Sequence, residues 1–200
     1  RTPFRISFFG GGTDYPQWYK ENGGAVLSTT INKYCYITCR RLPPFFEHKT
    51  RLIWSKIESV KDNSEIQHPA VPAILKFVKI KEGLEIHHDA DLPARSGLGS
   101  SSAFTVGLLN ALNALRGKII TKRQLTLDAI YLEQEKMREN VGSQDQTAAA
   151  FGGLNKIEFG GPQNISVKPI TLNYEKWDNF QKHFMLFFTG LSRNASEIAE

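Results

Sequence analysis

Cysteine is nearly absent. Cys35 and Cys39 are the only two in 200 residues, and no Cys or His pair follows them at zinc-ligand spacing. That excludes a disulfide-stapled scaffold and a structural zinc site, and it leaves two free thiols on one face of an expected strand. No apolar run is long enough to span a bilayer and no signal peptide is legible, so the expected location is the cytoplasm and no membrane partner is expected. Basic clusters are scarce as well. The net charge is +5, yet Lys and Arg are scattered and Arg40-Arg41 is the nearest approach to a patch. A nucleic-acid partner is therefore not expected, whereas a nucleotide or a phosphorylated small molecule suits the same charge. There is no internal repeat or low-complexity stretch, and the chain opens on Arg1 rather than Met, as a trimmed piece of a longer protein would.

What is present is an ordinary globular composition, 40% hydrophobic and 22% charged, which can bury a core without metal or disulfide staples. β-Branched and aromatic runs predict strands over residues 1–9, 25–30, 34–41, 51–60 (one or two strands), 84–89, 154–159, 165–170 and 184–189. Helices are expected at 16–22, 71–79, 103–115, 121–138 and 144–151, with a last one starting near Ser192 or Asn194. The 103–115 segment is apolar nearly all round, which places it at the centre of a domain. Thr121 with Gln124 has the spacing of a capping box. The mixture gives an α+β or mixed α/β class.

Three segments carry chemistry. Leu92-Pro93-Ala94-Arg95-Ser96-Gly97-Leu98-Gly99-Ser100-Ser101-Ser102-Ala103 lies between an expected strand and the buried helix. Its glycines let backbone N–H groups converge, and the helix start adds partial positive charge, which makes a seat for a nucleotide phosphate. The serines can donate hydrogen bonds or hold magnesium through oxygen. A plain Gly-Ser turn capping a helix is the alternative. No Lys follows Gly99, no third glycine stands at Ser102, and no Ser is framed by glycines two away on each side. A Walker loop, a dinucleotide fingerprint and a nucleophile elbow are thereby set aside. The opening strand runs into Gly10-Gly11-Gly12-Thr13-Asp14-Tyr15, a carboxylate beside bare backbone that suits sugar hydroxyls or a simple turn. Asp145 begins the short Ala-rich helix, as a general base or as a structural helix-start acid.

In this order, an N-terminal Pro3-x-Arg5 leading to Thr13-Asp14-Tyr15, a central Gly97-Leu98-Gly99-Ser100-Ser101 and a later Gly142-x-x-Asp145 resemble the GHMP small-molecule kinases. The likeness extends over essentially the whole chain. It implies a ribosomal-protein-S5-like N-terminal domain over residues 1–175, followed by the start of a ferredoxin-like domain over 176–200. It implies ATP and Mg2+ as cofactors, with Pro93 and Gly97 through Ser102 around the phosphates. Ser101 and Glu135 are the implied metal ligands, with Glu133 and Glu139 as alternatives to Glu135. Asp145 is the implied catalytic aspartate with Arg5 beside it, and such an Arg can stabilise charge developing on the attacking oxygen. Gly11, Gly12, Thr13 and Asp14 are the implied sugar contacts.

Galactokinases carry Glu and His where this chain has Gly11 and Gly12, so galactose is not the expected substrate. The Phe9 to Pro16 opening and the Val141 to Gln146 segment resemble the D-glycero-D-manno-heptose 7-phosphate kinase branch, related to the L-fucose kinases. So does Thr189-Gly190-Leu191-Ser192-Arg193-Asn194-Ala195. The implied reaction is phosphorylation of the anomeric hydroxyl of a sugar phosphate, with free L-fucose or a non-catalytic nucleotide-binding module as alternatives. Lys33, Arg95 and Arg193 are candidates for holding the substrate phosphate.

Overall fold

Glycine and proline punctuation divides the chain into seven strands and six helices among the described residues, which in this computed structural model are 1–94, 96–160 and 164–187. Strand β1 is Thr2–Phe9, helix α1 Pro16–Asn22, β2 Gly24–Arg41, β3 Thr50–Ile53 and β4 Ile57–Val60. Then come α2 Val71–Val78, β5 Leu84–Ala90, α3 Ser100–Leu115 and α4 Lys122–Tyr131. The chain continues with α5 Gln144–Phe151, β6 Leu154–Phe159, β7 Ile165–Pro169 and α6 Tyr174–Gln181. The strands form one sheet in the order β4-β3-β5-β2-β6-β7, with β1 paired to β2, and β3–β5 is the parallel pair in an otherwise antiparallel ladder. This is the expected α+β class.

Helix α3 organises the core. It packs on β1 and β2 and touches α2, α4 and α5. Leu108, Leu109 and Leu112 are fully buried on it, each contributing about 1.5–3 kcal/mol by removal from water. Gly107 sits where α3 crosses β1, since an added Cβ there would lie 2.7 Å from the Thr2 hydroxyl. A second, smaller cluster of Tyr19, Val26, Ala148, Ile157, Phe159 and Ile165 fills the other end of the sheet.

Some expectations shift. Residues 25–30 and 34–41 belong to one 18-residue strand, because β1 pairs across the middle of β2 and keeps it extended through the polar Asn32-Lys33 step. The register jumps there from Pro3↔Tyr34 to Arg5↔Thr30, leaving Phe4 opposite residues 31–33. Such a bulge re-aims side chains: Phe4 enters the core while Arg5 does not. Helix α3 begins at Ser100, earlier than its apolar run, since the serine run supplies its first turn. Thr121 accepts from the Gln124 amide at 3.1 Å, but the Gln124 side chain turns to Asp128, so only half a capping box forms. Helix α4 does not continue uniformly to 138. It passes at Leu132–Lys136 into a π-helical turn. Helix α6, capped by Asn173, was not expected, and residues 184–187 are not a strand. The remaining residues of the expected 184–189 strand, and the expected last helix, lie outside the described residues.

Candidate active site

The three chemical segments converge. Register places Arg5 and Ser7 two apart on β1, and α5 packs against that strand, so both side chains meet the first turn of α5. Arg5 Nε lies 2.7 Å from Asp145 Oδ1, an ion pair across 140 residues of chain. The same guanidinium donates through Nη1 to the Gly97 carbonyl at 2.8 Å, and the Arg5 amide donates to the Leu98 carbonyl at 3.1 Å. One arginine thus ties the glycine loop, β1 and α5 to one point. Gly99, at φ +75°, is confined there: an added Cβ would meet Arg5 Cγ and Asp145 Oδ2 at 3.3 Å. Glycine suits both the left-handed backbone and the close approach.

A cavity of about 330 Å³ opens beside this pair, bordered by β1 from Arg5 to Phe9, Gly10, Gly11, Gly97, Leu98 and Gln144. Pro93 and Gly97 are exposed, Leu98 packs partly on the core, and Gly97 has open space where a side chain would stand. Ser100 is half-buried and Ser101 exposed on the first turn of α3. Ser102 differs from the expectation. Its hydroxyl is buried and donates inward to Glu133 at 2.8 Å, so it is not a free donor for a nucleotide.

The expected metal carboxylates differ in burial. Glu135 is exposed, whereas Glu133 is fully buried against Ser102 and Gln146. Glu133 follows Ala129 by four residues and so continues the buried face of α4, while the π turn leaves Glu135 pointing outward. Burial pushes the Glu133 carboxyl up to about 7 against the hydrogen bonds that Ser102 and Gln146 donate to Oε2. Its Oε1 has no partner among the described residues. Burial likewise raises Glu139. One orphaned carboxylate oxygen behind a serine-lined helix start is a donor set that fits Mg2+ shared with phosphate oxygens and waters. No cluster of three or more His, Cys, Asp or Glu that could hold a metal occurs among the described residues.

Asp14 is corrected in kind. It is fully buried, accepting from the Gly12 amide at 3.1 Å, the Gln144 amide at 3.0 Å and Gln144 Nε2 at 3.1 Å. Its backbone carbonyl accepts from Ser143 N at 3.0 Å. Desolvation raises its pKa, chiefly against the Gln144 amide hydrogen bond. The side chain braces the start of α5 and is not an open acceptor for a sugar hydroxyl. Thr13 is similarly committed to its own loop, donating to the Gly10 carbonyl at 2.7 Å and accepting from the Ala25 amide at 3.1 Å. Of the expected sugar contacts, Gly11 borders the cavity, and Gly12 does not. Ser7 and Gln144, which the sequence reading passed over, border it instead. The period-2 step from Arg5 to Ser7 was the available signal.

Lys33 sits on β2 opposite Phe4 and does not line the cavity. Arg95 and Arg193, and the 189–195 motif, lie outside the described residues. Cys35 is buried and Cys39 half-buried, both free, with burial raising each thiol to about 12. His87 pairs with Glu85 at 2.8 Å while His88 packs on Phe104, so the two neighbours serve opposite faces.

Residues 67–153 match the GHMP kinases N terminal domain. Over its whole length the chain is 28% identical to a D-glycero-alpha-D-manno-heptose 7-phosphate kinase of Campylobacter jejuni, covering 62% of that protein. It is 31% identical to a galactokinase of Pyrococcus furiosus, again over its whole length and 56% of the relative. A crystal structure described as a D-glycero-D-manno-heptose 1-phosphate kinase from Bacteroides thetaiotaomicron superposes with a TM-score of 0.77 at 26% identity, over 88% of this chain and 60% of that one. The chain therefore spans less than two thirds of the proteins it resembles.

Proposed function

We propose that the protein, whose residues 67–153 match the GHMP kinases N terminal domain, is an ATP-dependent sugar kinase that phosphorylates the anomeric hydroxyl of D-glycero-D-manno-heptose 7-phosphate. The observation that carries the reading is the Arg5–Asp145 pair held against Gly97 and Gly99 beside the cavity, which Arg5 and Gly97 line. A carboxylate at that position accepts or orients the proton of the attacking hydroxyl. Arg5 offsets charge that builds on the attacking oxygen. The loop amides and the start of α3 hold phosphate oxygens, and Gly97 leaves them room. Ser101 and Glu133 are the residues that would hold Mg2+, which when bound neutralises charge on the transferring phosphoryl group. Leu98, on the cavity wall and against the core, helps keep water from the transfer. In this reading residues 1–175 form the nucleotide- and sugar-binding domain and 176–200 open a second one.

One observation favours a free sugar such as L-fucose as a second reading. Arg5 is the single cation among the described cavity-lining residues, and it is already engaged with Asp145 and Gly97. A substrate phosphate would need another cation.

The test uses the full-length protein with ATP and Mg2+ against heptose 7-phosphate, free mannoheptose, L-fucose and galactose. ADP release gives the rate and phosphorus NMR gives the position phosphorylated. Turnover confined to heptose 7-phosphate, with phosphate on the anomeric carbon, is the expected result. Turnover confined to a free sugar would select the second reading, and none at all would leave a nucleotide-binding module.

A further inference from the structure

The polar wall of the cavity has a fixed sense of hydrogen bonding. Gln144 presents a carboxamide whose two ends are chemically alike in shape but opposite in role, and its neighbours decide which end goes where. Asp14 lies buried on one side. Three N–H groups converge on its carboxyl oxygens, two of them from the backbone amides of Gly12 and Gln144. The Gln144 side chain supplies the third, with Nε2 3.1 Å from Asp14 Oδ1. Turning the amide over would set its oxygen against a carboxyl oxygen. Oε1 therefore faces β1, where Ser7 Oγ donates to it at 2.6 Å. Having spent its only proton, the Ser7 hydroxyl offers just its lone pairs to the cavity. Gln144 keeps one N–H uncommitted.

Both residues border the cavity, and Gln144 directly precedes Asp145 in α5. Gly11 leaves this wall uncovered, since a Cβ there would already lie 3.8 Å from Gln144 Nε2. Behind Ser7, its cross-strand partner Ser28 is 1% exposed with a hydroxyl that has no partner among the described residues. Ser28 does not line the cavity, so the polar groups of this wall are those of Ser7 and Gln144.

From this polarity we propose that Ser7 and Gln144 determine sugar specificity. Ser7 Oγ accepts from one ring hydroxyl, and the free Nε2 proton of Gln144 donates to a neighbouring hydroxyl oxygen. Asp14 is the positioning residue that sets the sense of both. The inference rests on the kinase reading above and names what distinguishes one sugar from another within it. A pair of adjacent hydroxyls, one donating and one accepting, matches this wall, and an analogue lacking either one leaves a partly buried polar group unpaired.

The test measures kcat/KM of full-length wild type, Ser7→Ala, Ser7→Thr and Gln144→Met. The substrates are heptose 7-phosphate and its 2-, 3- and 4-deoxy analogues. Wild type is expected to lose about tenfold or more on the analogue lacking the hydroxyl that Ser7 reads. Ser7→Ala should lose a similar factor on the parent sugar and no longer distinguish parent from that analogue. Ser7→Thr, which keeps the hydroxyl, should restore the distinction. Gln144→Met should erase the penalty for an adjacent position, and the KM for ATP should stay within about threefold throughout. Equal penalties in wild type and Ser7→Ala on every analogue would overturn the assignment while leaving the kinase standing. Absence of wild-type turnover on every sugar in the wider panel would overturn the kinase reading, and this one with it.

Discussion

Replacing Glu133 by Gln should change how stability depends on pH, and the size follows from burial. The carboxyl is fully buried, and desolvation raises it from 4.5 to about 7. A folded pKa above the unfolded one means that the native state binds the proton more tightly. The stabilising contribution is full below about 4.5 and is lost as pH rises through about 7. At about 1.4 kcal/mol per pH unit, that interval corresponds to about 3 kcal/mol. Urea unfolding of wild type and Glu133→Gln at about pH 4.5 and about pH 8.5, without added Mg2+, isolates the effect. Other titrating groups and any fixed cost of the amide cancel in the difference between the two proteins. The Gln variant should gain about 3 kcal/mol on wild type between the two pH values. Curves that stay parallel to within about 0.5 kcal/mol would refute the claim that burial drives this carboxyl toward its neutral form.

Asp145→Asn should lower kcat by about 10²–10⁴-fold while ATP affinity, read by calorimetry, stays within about threefold. Loss of ATP binding as well would make Asp145 a structural helix-start residue. Gly99→Ala should cost about 1–2 kcal/mol from the φ of +75° alone and should raise the KM for ATP, because its Cβ also crowds Arg5 and Asp145. Gly142→Ala places a Cβ 1.9 Å from Asp14 Oδ2, so unfolding free energy should fall by about 1–3 kcal/mol or more. An unchanged melting curve would contradict the tight fit. Leu109→Ala, fully buried on α3, should cost about 2–5 kcal/mol in denaturant unfolding and serves as the control for core damage away from the site.

Strands and helices came through in the sequence wherever local pattern and tertiary demand agree. Helices α1 and α5 and strand β6 occupy the spans that their punctuation marks, because Pro16 starts one helix, Gly152 ends another and β6 lies between turns. Pattern failed where a distant partner decides. Asn32-Lys33 looks like a break between strands, yet β1 pairs across it. Residues 184–187 have β-forming composition but pair with no strand among the described residues. Helix α6 was overlooked although Tyr174, Trp177 and Phe180 recur every three residues behind the Asn173 cap. Its apolar side meets Phe8 of β1 through Phe180, a contact no local window contains.

The site was legible in its residue types and not in their roles. Asp145 stood open between general base and helix-start acid on local grounds, and its pairing with Arg5 entered only through a resemblance, since nothing local joins positions 140 residues apart. The resemblance leaves Glu133 as an alternative to Glu135, and helical counting from Ala129, four residues earlier, puts Glu133 on the buried face. Asp14 shows why role is harder than type. A carboxylate beside glycines can face a ligand or hold a loop, and local sequence is the same in both cases. Here the deciding feature is Gly142, whose missing side chain lets the Asp14 carboxyl approach the chain just before α5. That approach fixes Gln144 by its backbone and its side chain together. Asp145, next in the helix, is held in turn against Arg5. A buried acid can therefore set the geometry of the two residues that begin α5, and a glycine 128 positions away makes this possible.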